Sequence, residues 1–221
     1  AFRRFPCLGS LTIAMCPYLK RYLERDIGIP PSKVRLVPNG IACQTFNLGT
    51  SYDVPIILYV GRSTGQKGVA LRFLTEKVLP AVLKEFPDAQ WWMLADEPAP
   101  ALSMPEEYQT ARVVIGAGRV ALEAMACGKA VLAIGESSAP GLLEEKNFEE
   151  AFDSNFGDCG PWNLFQGSEA RLVKDLKKVI ADASLAEQAG RWGREKVLSG
   201  FEAGGVARKV LPLYEEALCL R

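Results

Sequence analysis

The chain has 221 residues, 48% of them hydrophobic and 24% charged, long enough to bury one substantial core. Its 26 Lys and Arg match 26 Asp and Glu, so no overall field draws it to nucleic acid or an anionic membrane, and any bound anion must be met locally. Histidine is absent, which removes the commonest general base, the His-dependent nucleophile pairs and every His-containing metal site.

The six cysteines, Cys7, Cys16, Cys43, Cys127, Cys159 and Cys219, are scattered without a CxxC spacing. They suggest neither a zinc ribbon nor a redox motif and read as reduced thiols of a cytosolic protein. No apolar stretch approaches the roughly 20 residues that a membrane span needs, and AFRRFPCLGS lacks a signal-peptide layout. The expected location is the cytoplasm, with peripheral attachment to the inner face of the membrane as a further option. The chain opens without Met inside what reads as a folded segment, so an incomplete polypeptide is expected.

In chain order, CLGSLTIAMCPYLKRYLERDIG begins with a short β-like run and continues with Tyr18, Leu19, Tyr22 and Leu23 at helical spacing. A short strand over 34–37 closes on a Pro-Asn-Gly turn. IILYVGR, 56–62, is a fully apolar strand, followed by a helix over 69–86 and a second apolar strand, AQWWMLAD, 89–96. Trp91 and Trp92 then read as core residues of a central strand. EPAPALSMPEEY reads as a Pro-rich connector with little helical periodicity, ARVVIGA as a third strand, RVALEAMACG as a short helix and AVLAIGE as a fourth strand. From Pro140 onward the pattern is helical and polar, with helices near 168–182, 184–199 and 203–218.

Strands without polar alternation, separated by helices, predict a parallel sheet covered on both faces: a Rossmann-like, doubly wound α/β domain. Such sheets bind ligands beyond the carboxyl ends of their strands. Two turns there carry chemistry. VGRSTGQKGV offers Gly61, Gly65 and Gly68 for close backbone approach and Arg62 and Lys67 as cations near a helix start, which suits a phosphate; a glycine-rich surface turn with solvated cations is the plainer alternative.

The second turn runs through Gly116, Ala117, Gly118, Arg119 and Val120, where helix-start amides would face a ligand. Glu123 follows, flanked by Val120, Ala121, Leu122, Ala124, Met125 and Ala126, and a helix apolar all round is normally buried. A buried carboxylate needs a cation, hydroxyl donors or water, and a ribose diol would serve. The alternatives are an exposed stripe or an ion pair with Arg119 or Lys129. NFGDCGPW reads mainly as a structural turn, with Asp153 and Asp158 lining a cleft as the alternative.

With these residues in view, the sequence resembles the C-terminal, donor-binding half of a GT-B fold glycosyltransferase, most like family 4, the retaining "glycosyl transferases group 1". SLTIAMCPYLKRYL, VRLVPNGIACQTF, ILYVGRSTGQKGV and GRVALEAMACGKAVLAIG carry the resemblance in order, from about residue 11 to 136. It implies that Arg62 and Lys67 bind the diphosphate of a nucleoside diphosphate sugar and assist catalysis. Gly61 accompanies them, main-chain groups of Gly116 to Val120 face sugar and phosphate, and Glu123 holds the ribose. The acceptor would be a glycan, lipid or small molecule, with neither cofactor, metal nor nucleic acid involved. Residues 1–40 would be a remnant of the N-terminal domain and linker, 41–200 the donor-binding domain and 201–221 a C-terminal helix.

Three departures stand out. The family motif has two glutamates with seven residues between them, and the first falls on Ile115, which cannot hydrogen-bond a sugar. Only EPAPALSMPEEYQT stands where the family has a helix and a further strand. On this resemblance, most of the N-terminal, acceptor-binding domain would be absent apart from its final pieces. Retaining sugar transfer is therefore the leading expectation, against an epimerase-like GT-B enzyme acting on sugar nucleotides or a non-catalytic nucleotide-binding module.

Overall fold

The computed structural model describes residues 9–49, 54–95, 104–161 and 165–219. Cys7, Asp96 at the end of the second expected apolar strand and residues 97–103 of the Pro-rich connector lie outside these segments. The first unit is small: β1 (Thr12–Ala14), α1 (Pro17–Arg25) and β2 (Val34–Leu36), the two strands pairing in parallel. Pro17 opens α1 where its missing N–H costs nothing. Ala14, Ile29 and Val34 form a local core under Leu19 and Leu23.

The main sheet contains β3 (Ile56–Gly61), β4 (Gln90–Ala95), β5 (Val113–Gly116), β6 (Ala130–Ala133) and β7 (Gly141–Leu142), in the order β4-β3-β5-β6-β7. Four strands are parallel, and β7 adds an antiparallel edge that the helical, polar reading of this region did not anticipate. Side chains alternate between two cores. Ile56, Leu58, Val114 and Val131 face one, while Ile57, Tyr59, Val113, Ile115 and Leu132 face the other. Both faces of β3, β5 and β6 are covered, which is why those strands read as unbroken apolar runs.

The helices are α2 (Gly65–Phe73), α3 (Leu79–Glu85), α4 (Met104–Thr110), α5 (Arg119–Ala126), α6 (Phe148–Asp153), α7 (Glu169–Ala181), α8 (Ala183–Gly200) and α9 (Ala203–Cys219). A π-helical turn, Leu74–Val78, joins α2 to α3 just before Pro80, whose ring carries no N–H for the regular ladder. The helix expected over 69–86 in fact begins four residues earlier, at Gly65, ends at Glu85 and is interrupted by this turn. The tail of the Pro-rich connector is α4, a short helix that buries Tyr108.

Trp92 is a correction. It lies on β4, the sheet edge among the described residues, and is 40% exposed. Trp91 is half-buried and tilts against Tyr59 at 6.2 Å between ring centroids. Apolarity alone had marked β4 as central. Its sequence does not distinguish an edge from a middle strand.

Two ion pairs tie the small unit to the rest: Arg21 grips Asp153 with bonds of 2.7 and 2.5 Å, and Arg35 pairs with Glu216 of α9. The described cysteines, Cys16, Cys43, Cys127, Cys159 and Cys219, are all free. Among the described residues, no helix is long and apolar enough to cross a membrane.

The contact of α8 with α5 and β6 is close enough to exclude a methyl group. A Cβ on Gly190 would lie 1.9 Å from the Gly128 carbonyl oxygen, a backbone atom that cannot swing aside. Alanine favours a helix over glycine by about 1 kcal/mol. We nevertheless expect Gly190→Ala to lower stability by roughly 1–3 kcal/mol through overpacking, measured as a reduced urea midpoint.

Candidate functional site

The parallel pairing of β3 with β5 brings both suspected turns out at the same end of the sheet. At the end of β3, Gly61 lies against the Tyr59 hydroxyl, which donates to the Arg62 carbonyl at 3.2 Å and fixes the turn. Arg62 is 67% exposed and pairs with Glu136 at 2.9 Å, reaching across to the loop after β6. Lys67, in the first turn of α2, is largely buried and pairs with Asp158 at 3.0 Å.

At the end of β5, Gly116, Ala117 and Gly118 are all buried. Gly118 caps α5 at φ 58° and ψ −126°, a conformation open to glycine and strained for other residues. Its amide donates to the Asn155 carbonyl at 3.0 Å, so it is not the ligand-facing donor that the sequence suggested. A Cβ at Gly118 would sit 2.6 Å from Asp158 Oδ2 and 3.2 Å from Asn155 Nδ2. The 155–158 loop therefore covers this turn. Arg119 is the exposed member, and Val120 is half-buried.

Glu123 is only 9% exposed, and both of its oxygens are used. Arg119 Nε donates to Oε1 at 2.6 Å, and the Tyr108 hydroxyl, fully buried, donates to Oε2 at 3.0 Å. Burial, reinforced by the neighbouring negative charge, drives the Tyr108 hydroxyl far above its ordinary pKa and keeps it a donor. The expected need for a cation and a hydroxyl is thus met within the chain. Ile115 is fully buried in the core against α2 and α7, so its place contributes packing.

Sequence reasoning missed Tyr108, Glu136 and the placement of Asp158. Tyr108 followed a Pro-rich stretch, and Asp158 lies 91 residues from the lysine it meets. Asp153, considered with Asp158, instead holds Arg21 and lines a cavity of about 430 Å³ with Tyr18, Asn147, Glu150, Cys159 and Arg171. Among the described residues, no cluster of three or more His, Cys, Asp or Glu could hold a metal.

Comparison with known proteins bears on the fold. The chain is 27% identical over 240 residues to the alpha-maltose-1-phosphate synthase of Mycobacterium tuberculosis (strain CDC 1551 / Oshkosh), covering 85% of the chain and 58% of that protein. It superposes on Anabaena Alr3699/HepE, solved with UDP and glucose, with a TM-score of 0.65 at 12% identity, over 97% of this chain and 64% of that one. The C-terminal domain of a glycosyl transferase group 1 family protein (LpcC) from Francisella tularensis matches over 99% of its length and 74% of this chain, with a TM-score of 0.50 at 17% identity. The fold is that of the C-terminal half of a GT-B glycosyltransferase.

The chain spans a little over half the length of the curated relatives that it matches. No protein-family model matches it. Within the GT-B frame, the two turns lie at the carboxyl ends of the strands, where doubly wound sheets place ligands.

The buried Tyr108–Glu123 bond yields a stability test. Glu123→Ala leaves the Tyr108 hydroxyl buried without its acceptor and should cost roughly 1–3 kcal/mol. The same change made in a Tyr108→Phe background should cost measurably less, since no hydroxyl is left stranded. A double-mutant cycle in urea reads the difference.

Proposed function

We propose that this chain is the donor-binding half of a metal-independent, cytoplasmic glycosyltransferase that moves a sugar, with retention, from a nucleoside diphosphate sugar to an acceptor hydroxyl. The acceptor is a glycan, lipid or small molecule, met across a cleft by an N-terminal domain of which residues 1–40 are a remnant together with the interdomain linker. The observation that carries this reading is the convergence of Lys67, Arg62 and the start of α5, with Glu123 behind it, at one end of a GT-B sheet. The relatives' names point the same way: one is a sugar-phosphate synthase, and a neighbour was solved with UDP and glucose.

In this mechanism the bond from the sugar C1 to the diphosphate oxygen breaks, and its electron pair stays on the diphosphate. The acceptor oxygen bonds to C1, and its proton passes to the departing diphosphate oxygen. Arg62 and Lys67 neutralise the charge that develops on the leaving group, which is where preorganised electrostatics gives most of its acceleration. The first-turn amides of α5, from Arg119 onward, have no partner within the helix and add to that field. Glu123 keeps Tyr108 and Arg119 and accepts ribose hydroxyls on its remaining lone pairs, since a carboxylate has about four acceptor sites.

A second reading, a nucleotide-binding module without transfer, is favoured by one observation: Ile115 is core, so no acid at that position can reach a sugar. Both readings are tested by one panel. UDP-, GDP- and ADP-sugars are titrated onto wild type, Lys67→Ala, Arg62→Ala and Glu123→Ala. One nucleotide should bind to wild type, and Lys67→Ala should weaken it by roughly tenfold or more, as removal of a charged partner from a half-buried site does. Arg62→Ala should weaken it less, because the group is exposed. Turnover by the full-length protein should survive EDTA and fall about a hundredfold or more in kcat for Lys67→Ala. Normal binding with no transfer would favour the module, and equal binding by all four proteins would remove the site assignment.

A further inference from the structure

We propose that Asp158, assisted by Glu136, is a resident counter-anion that occupies the phosphate cradle and must be displaced by the donor's diphosphate, so that it sets donor affinity. The inference rests on the reading of Lys67 and Arg62 as diphosphate ligands.

Asp158 stands where an anion is best received. Its Oδ2 pairs with Lys67 at 3.0 Å and lies against the backbone of Gly118, the cap of α5. Lys67 and Asp158 are only 20% and 18% exposed, so the pair feels little solvent screening. Yet Asp158 is poorly satisfied. Its Oδ1 is buried and has no hydrogen-bond partner, which makes the resting position costly and its release cheap. Glu123, by contrast, has a donor on each oxygen and stays.

Glu136 is coupled to Asp158 through the backbone. The amides of Ser137 and Ser138 both donate to the Gly157 carbonyl, at 2.8 and 3.1 Å, and Ser137 Oγ donates to the Gly160 carbonyl at 3.1 Å. A Cβ on Gly135 would lie 2.4 Å from the Gly157 carbonyl carbon, so the two loops are in backbone contact. Asn155 and Phe156 are held at φ 50° and 58°, a left-handed pair that non-glycine residues adopt at a cost. The two loops thus form one strap, pinned to the β3–α2 turn at Arg62 and Lys67. A diphosphate that takes both cations releases both pins.

The sign of the effect is the test. Asp158→Asn keeps the shape and removes the competing charge. Calorimetric titration with UDP, GDP and ADP should show the bound nucleotide held roughly tenfold tighter by Asp158→Asn than by wild type. Glu136→Gln should tighten it by about two- to threefold, since its partner Arg62 is mostly solvated. The gain should vanish in Lys67→Ala/Asp158→Asn. Hydrogen exchange of the 154–160 amides in wild type should rise on nucleotide binding. If a nucleotide binds in a Lys67-dependent way but Asp158→Asn leaves affinity unchanged or weakens it, Asp158 merely orients Lys67 and this inference fails alone. If neither wild type nor Asp158→Asn binds any of the three, the site reading fails with it.

Discussion

The pairing of β3 with β5 is the constraint on which the rest depends. Parallel strands in adjacent positions send their following turns out at the same end, so Lys67 and the start of α5 become neighbours without any direct bond between their elements. β3 and β5 can sit side by side only because both are dry on both faces. Their alternating side chains fill one core against α5 and α8 and another against α2, α3 and α7. The site is thus a by-product of burying Ile57, Leu58, Val113 and Val114. Polar groups arrive on loops afterwards.

That hierarchy explains what was legible in the sequence. The strands over 56–61, 113–116 and 130–133 stood out because full burial leaves no polar residue to break the run. Glu123 stood out for the converse reason, one acid in an apolar helix, and its partner Arg119 lies one helical turn away. Trp92 misled because an edge strand can be as apolar as a central one, and edge position depends on which strands lie beyond it. The short β7 pairs through two residues, too few to leave a periodic trace. Asp158 was noticed in a turn-rich stretch, but its role comes from a contact 91 residues distant, which no local pattern encodes.

Gly118 shows how a correct motif can carry a wrong detail. Glycine is required there, as a turn before a ligand-facing helix would suggest, but the nearest reasons are its positive φ and the closeness of Asp158 and Asn155. Its amide is spent on Asn155. Close approach by a ligand and close approach by the chain's own loop make the same demand on sequence. Coordinates separate them.

Arg62, Lys67 and Arg119 at this end each pair with a carboxylate: Arg62 with Glu136, Lys67 with Asp158, Arg119 with Glu123. Local neutrality mirrors the chain's overall balance of 26 basic and 26 acidic residues. The ion pair with Asp158 holds the half-buried Lys67 in place. The pairs differ in how firmly they are held, because Glu123 is bonded at both oxygens while Asp158 is bonded at one. For the diphosphate proposed to bind here, one pair therefore resists exchange and the other invites it. Under that proposal the first would supply a fixed frame and the second the cation.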